Sequence, residues 1–385
     1  MRLDVVELLQ SLIAIPSLSG EEGRIAAFLR EKLEKFCDTV HVDEMNNVIA
    51  EIKGVRDGPV ILFNAHIDHA PVGEMAEPFV GQVVDGASWG TPGQVILGRG
   101  ACDDKGGVAA MLCAAAEVAT RRNFPGKLIL TFVAMEEAGG AIGTKKVLND
   151  LLKGQKQRID LVILGEPTEM GINLGHRGKV EFLLTAIGKS AHASNPSNGV
   201  NALLLVNDFI NEWQRVSLPT HAILGACTSA VTNLKCPDPG RTAIIPNEAT
   251  LNFDRRYLPD ETPKQVEDQV RQVIARLEEK NGPGRYRLES LYFMPPYYVS
   301  PDHPLLKPLR RAMKAQGVPE KTGSWLSGTD GTFIVNDYSI PTIGFGPGSE
   351  RHCHTAIDHV SIADLKASVG VYRDFILNLG NEVIA

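Results

Sequence analysis

Three apolar runs in this 385-residue chain end in side chains that can bind a cation. Val60–Ala65 leads into His66-Ile67-Asp68, Leu128–Met135 into Glu136-Glu137, and Leu161–Leu164 into Gly165-Glu166-Pro167. Short apolar runs of this kind read as buried strands, and in open α/β sheets ligands gather at the carboxyl ends of the strands. Asp103 lies in Gly98-Arg99-Gly100-Ala101-Cys102-Asp103-Asp104-Lys105-Gly106-Gly107, just ahead of a helical stretch. A helix N-terminus favours a negative group there. His354 follows the run Ile340–Phe345 and a Gly-Pro-Gly turn. Carboxylates brought together repel unless a cation neutralises them, so this set predicts a metal. Mixed His and carboxylate donors suit zinc, with cobalt or manganese as alternatives.

Two of these pairs divide their labour. A ligating His usually donates its second ring N–H to a carboxylate, so Asp68 in His66-x-Asp68 reads as an orienter. Glu136 and Glu137 are adjacent, and one should bind metal while the other handles protons. Other residues nearby carry plainer readings. His69, His176 and His352 read as neighbours, Cys102 and Cys353 as packing residues, Arg255 as a surface ion-pair partner, and Asp104 as a helix cap.

The elements that must position these side chains alternate in type. Ser19-Gly20-Glu21-Glu22 reads as a capping box opening a helix through Phe36. Extended segments follow at Asn47–Ile52 and Pro59–Asn64, then an Ala-rich buried helix over Gly106–Thr120, a strand over Lys127–Met135, a helix over Ala141–Leu152 and a strand over Asp160–Leu164. Alternating strands and helices predict an α/β sheet, largely parallel. The texture then changes. Lys179–Ile187 alternates, a helix runs over Gly199–Trp213, a turn-rich stretch leads to a strand at Glu248–Arg256, and an amphipathic helix covers Thr262–Lys280. This block reads as an inserted α+β module. The expected division is a catalytic domain over 1–178 and 293–385 with the insertion over 179–292, in keeping with roughly 150 residues per domain.

Taken in order, His66-x-Asp68, Gly98-Arg99-Gly100-x-x-Asp103-x-Lys105-Gly106, Glu136-Glu137, Gly165-Glu166-Pro167 and His354 resemble the di-zinc family of acetylornithine deacetylase, succinyl-diaminopimelate desuccinylase, aminoacylase and glutamate carboxypeptidase. Each motif is weak alone; the ordered set, spanning positions 66 to 354, is specific. The resemblance implies a zinc-exopeptidase-like fold: a mixed, largely parallel sheet flanked by helices, with an inserted α+β dimerisation (lid) domain. It implies that Asp103 bridges two metal ions, that His66 and Glu166 complete one and Glu137 and His354 the other, and that Glu136 is the general base. The reaction implied is hydrolysis of an amide bond in an N-acyl amino acid or small peptide by a water bridging two zinc ions per chain. On the same ground His192, in Gly188-Lys189-Ser190-Ala191-His192, matches the oxyanion-stabilising histidine that relatives supply from a partner subunit, which implies a homodimer. With Glu136 and Asp68 it completes the expected catalytic set. Arg256 matches the arginine that binds the substrate carboxylate, and Gly328 and Thr329 match a substrate-lining loop. The chain departs from the pattern at Ala243, where relatives often carry Asn, at Asp358, where Glu is usual, and at His69, where Thr is common. These departures bear on substrate, not on the metal core.

Composition narrows the remaining classes. A net charge of −7 argues against nucleic acid or an anionic membrane as partner. The six cysteines are scattered with no CxxC pair, which predicts reduced thiols and a cytoplasmic setting. The N-terminal segment has no basic n-region, and no apolar run approaches the ~18 residues of a membrane span. A catalytically inactive relative that binds amino acids or peptides is the alternative reading. A glycosidase pair of Glu136 and Asp103 is a further one, which the histidines disfavour.

Overall fold

The computed structural model describes residues 3–153, 158–237 and 243–381. It divides into two compact units: Met1–Gly175 with Tyr298–Trp325 and Thr329–Ala385, and His176–Tyr297 with Leu326–Gly328.

The first unit is built on a nine-stranded mixed sheet among the described residues. Its order is Thr39–Val42, Val48–Lys53, Pro125–Val133, Arg56–His66, Leu161–Leu164, Thr342–Gly344, Ile172–His176 and Tyr297–Tyr298, with Thr322–Trp325 also paired to Ile172–His176. The central four, Pro125–Val133, Arg56–His66, Leu161–Leu164 and Thr342–Gly344, are parallel. Ile61 pairs with both Leu128 and Leu161, and Ile343 with Ile163. Their carboxyl ends therefore share one edge of the sheet. A parallel sheet is covered on both faces, which is why Leu161–Leu164 is buried at every position.

Helices flank this sheet. Val5–Ile13, Lys105–Arg121, Leu306–Ala315 and Ile362–Leu377 pack on one another, while Gly23–Leu33 packs on Val48–Lys53 and Ile142–Leu152 on Pro125–Val133. The helix Lys105–Arg121 is buried from Lys105 through Ala116. Its Ala and Gly residues permit that close approach, and Ala is the best helix former. Phe63, fully buried on the central strand, lies 5.0 Å from the Tyr372 ring and 6.5 Å from Phe375, which ties Arg56–His66 to the C-terminal helix.

The second unit is a four-stranded antiparallel sheet ordered Ser229–Lys235, Glu248–Tyr257, Gly178–Ile187 and Tyr286–Met294. Ala202–Trp213 and Pro263–Asn281 pack against it. Phe182, Phe209, Trp213 and Phe253 form the aromatic centre of its core. The helix Pro263–Asn281 opens on a capping box of Thr262 and Gln265.

Three expectations change. Ser19 to Glu22 is not a capping box: the helix runs Gly23–Leu33 with no side-chain cap, and those side chains turn elsewhere. The turn-rich stretch before Glu248 contains the strand Ser229–Lys235, an edge strand too exposed to show apolar alternation. A three-stranded antiparallel sheet of Gln82–Asp85, Gln94–Leu97 and His359–Ser361 is added to the expected elements. No described helix is long and apolar enough to cross a membrane.

Candidate active site

The shared carboxyl edge of the parallel strands gathers the expected ligands. His66 ends its strand, Glu136 and Glu137 follow Val133, and Glu166 follows Leu164. Asp103 precedes the helix Lys105–Arg121, across a cis peptide to Asp104. Its two carboxylate oxygens face different histidines: Oδ1 lies 2.8 Å from His66 Nε2, and Oδ2 lies 3.2 Å from His354 Nε2. Glu166 Oε1 stands 4.0 Å from His66 Nε2, and Glu137 Oε2 stands 3.0 Å from His354 Nε2. The structure thus brings together His66, Asp103, Glu137, Glu166 and His354.

Asp68 does more than orient an imidazole. His66 Nδ1 meets the Asp68 main-chain carbonyl at 3.0 Å and its carboxylate at 3.4 Å. The carboxylate accepts the amides of Glu136 and Glu137, both at 3.1 Å, and the Ser19 hydroxyl at 2.7 Å. Glu22 accepts the Met135 amide at 3.2 Å. Met135 and His354 adopt left-handed backbone, with φ of 64° and 60°. For non-glycine residues that costs on the order of 1–3 kcal/mol and persists only where surroundings enforce it. At Met135 the enforcing groups are Glu22 and Asp68, so Ser19 and Glu22, expected to open a helix, instead brace the Glu136-Glu137 turn.

Asp104 also departs from its reading. It makes no cap hydrogen bond to its helix. Both carboxylate oxygens are buried without a hydrogen-bond partner. His66, Asp104 and Glu166 each offer a ligand atom within 4.8 Å of the others, and so do His66, Asp103 and Glu137. The only sequence signal for this was the Asp-Asp pair ahead of the helix.

The electrostatics fit a cation. Burial pushes the Glu136 and Glu166 carboxyls well above the ordinary range, and neighbouring carboxylates add to it. Burial likewise raises Asp104. Burial alone would keep His66 neutral, yet hydrogen bonds to Asp103 and Asp68 raise it well above its usual value. Hydrogen bonds to Asp103 and Glu137 raise His354 to about 10. A cluster in which Glu136, Glu166 and Asp104 are pushed toward the protonated form, while the imidazoles of His66 and His354 are pushed toward the charged form and hold Asp103 below the ordinary carboxylate range, is one that divalent ions relieve. The donor set therefore fits a dinuclear metal group, with Asp103 offering one oxygen to each half.

The other expected site residues lie elsewhere in the chain's own units. His192 is exposed in the second unit, its Nδ1 2.7 Å from the Ser194 hydroxyl. Ala243 sits beside it, accepting the Ala193 amide at 2.8 Å. Arg256 donates from Nε to Asp254 at 2.9 Å and from Nη1 to the Leu326 carbonyl at 3.3 Å. Arg255 is no surface residue: it is fully buried and donates to Glu261 at 2.7 Å. The chain passes from the second unit to the first between Gly328 and Thr329. Thr329 is buried, and its neighbour Asp330 accepts from the Thr144 hydroxyl at 2.5 Å.

The model of peptidase family M20/M25/M40 matches residues 62–378. The chain belongs to this family. It is accordingly a metallohydrolase of amide C–N bonds, and nothing favours an inactive relative. It is 28% identical over 393 residues to a succinyl-diaminopimelate desuccinylase of Rhodospirillum centenum, covering 97% of this chain and 96% of that one. Among solved structures, a tripeptidase of Staphylococcus aureus matches with a TM-score of 0.77 at 21% identity, covering 98% of each chain. The YxeP protein of Bacillus subtilis, described as a dinuclear metal binding peptidase of family M20, matches with a TM-score of 0.73 at 18% identity, covering 97% of this chain and 96% of that one. These likenesses show that the fold is shared.

Proposed function

We propose that the chain hydrolyses the amide bond of an N-acyl amino acid or small peptide at a centre of two zinc ions held by His66, Asp103, Glu137, Glu166 and His354. The observation that carries the reading is Asp103, which turns one carboxylate oxygen toward each histidine. Two bound divalent ions supply acidification of a water and polarisation of the substrate carbonyl. The chain's residues do the rest. Glu136 accepts the proton of the attacking water on its carboxylate and returns it to the leaving nitrogen. Asp68 holds the Glu136 and Glu137 amides and the His66 ring in register. Arg256 binds the substrate carboxylate, for which a guanidinium fork is suited, and must release Asp254 or share itself with it. Gly328 and Thr329 line the substrate. The second unit is a dimerisation module whose His192 stabilises the oxyanion in the partner's site. A cytoplasmic setting belongs to the same proposal, supported by six unpaired cysteines.

Deacylase and exopeptidase share this chemistry and differ in pocket shape. The desuccinylase name of the Rhodospirillum centenum relative supports the acyl-amino-acid side. The deciding experiment is a zinc-loaded activity screen over N-acetyl, N-succinyl and N-formyl amino acids and dipeptides, each as free acid and as C-terminal amide. Chelator-sensitive cleavage of free acids, with the amides poor, is expected. No cleavage of any member, or equal use of acids and amides, would remove the substrate class or the role of Arg256 respectively.

A further inference from the structure

Asp103 and His354 come from loops far apart in the chain, and one buried carboxylate joins those loops. Asp358 accepts from the Gly100 amide at 2.7 Å, the Cys102 amide at 2.8 Å and Arg99 Nη1 at 3.2 Å. Arg99 donates in turn from Nη2 to the Thr355 and Val72 carbonyls, both at 3.1 Å. Asp358 and Arg99 are each 1% exposed. The Cys102 amide immediately precedes Asp103, and the Thr355 carbonyl immediately follows His354. The pair is therefore fastened to main-chain atoms next to each of two expected ligands.

We infer that Asp358, with Arg99, is a positioning residue that sets Asp103 against His354 and so governs how tightly the half-site of His354 and Glu137 holds its metal. Three donors converge on one carboxylate away from water, so replacing one of its accepting oxygens leaves a buried N–H group unsatisfied and frees the two loops to separate. The Asp103 Oδ2 to His354 Nε2 spacing of 3.2 Å is the quantity this clamp fixes. The half-site of His66 and Glu166 is anchored by strand ends and should feel the clamp less.

The inference rests on the metal reading of the cluster, and one experiment separates the two. Zinc-loaded protein is equilibrated against a series of zinc buffers, and zinc retained per chain is counted alongside a thermal melt. The wild type should release zinc in two steps. Asp358→Asn is isosteric, yet whichever way the amide turns its NH2 opposes either the Cys102 amide or the Gly100 amide and Arg99 Nη1. It should shift one of the two release steps to about 10–100-fold higher free zinc, the usual effect of disturbing a ligand's supporting shell, while the other step stays. Asp358→Glu keeps the carboxylate and adds a methylene, and should lie closer to the wild type than Asn does. A residue that only fills space would give the opposite order, and a residue that only stabilises the fold would lower the melt without moving either step at 25 °C; either result overturns the inference. Should Asp358→Asn fail to fold, Arg99→Lys carries the test. It keeps a charge opposite Asp358 but loses the fork to Thr355 and Val72, and unchanged zinc release would overturn the clamp. A wild type that retains no zinc would instead sink the metal reading itself.

Discussion

Glu136 and Glu137 differ by what surrounds them rather than by chemistry. Asp68 accepts both amides, but only the Glu137 carboxylate is within hydrogen-bond distance of His354 among the described contacts. Glu136→Gln should therefore keep the fold and the metal and lose about 10²–10⁴-fold in kcat, the usual cost of removing a general base. Glu137→Gln should instead lose bound zinc. Metal content and turnover of both variants check this, and the reverse pattern would exchange their roles. At this scale the clustered side chains were legible because metal chemistry restricts residue type: His66, Glu137 and Glu166 follow apolar runs, Asp103 stands ahead of a helix and His354 beyond a Gly-Pro-Gly turn. Their supports were not. Ser19 is 49 positions from Asp68 and Glu22 is 113 from Met135, so no local pattern announces either contact. Asp104 differs from expectation for a related reason: an acid ahead of a helix usually caps it, and here the N-cap position carries no side-chain cap hydrogen bond.

The strand Arg56–His66 delivers His66 to the sheet edge, and its neighbours on both sides are parallel. Phe63 anchors it to the helix Ile362–Leu377 through the rings of Tyr372 and Phe375. Phe63→Ala should cost about 3–5 kcal/mol, the range for truncating a buried Phe. Denaturant unfolding measures it, and the variant that remains folded should still bind its metal, since no ligand is touched. A loss below about 1 kcal/mol would mean that the site collapses around the gap, far outside that range, and that this strand is not the rigid support described. Central parallel strands were readable because burial on both faces makes them continuous apolar runs. Ser229–Lys235 was not, because an edge strand exposed at nearly every position carries neither an apolar run nor an alternation. The short strand Gln94–Leu97 pairs on one side with Gln82–Asp85 and on the other, across the chain, with His359–Ser361, a contact that local sequence does not encode.

At the scale of the molecule, the proposal assigns catalysis to the first unit and assembly to the second. His192 is exposed, with its ring toward Ser194, as a residue that serves another chain must be. Losing an oxyanion donor costs roughly 10²–10³ in rate, so His192→Ala should bind metal normally and turn over poorly. Mixing it with Glu136→Ala chains tests the subunit of origin. In a mixed dimer the His192→Ala chain keeps its own Glu136 and borrows a sound His192, so one site should recover activity. No recovery, with subunit exchange confirmed by mass, would place His192 in its own chain's site or outside catalysis. All of this depends on the bridged pair of ions, and the most direct measurement is metal bound per chain under excess zinc, in the wild type and in Asp103→Ala. Two ions per chain in the wild type, with both sites impaired by the single Asp103 substitution, are expected. Saturation at one ion, or an Asp103→Ala chain that still holds two, would contradict the account.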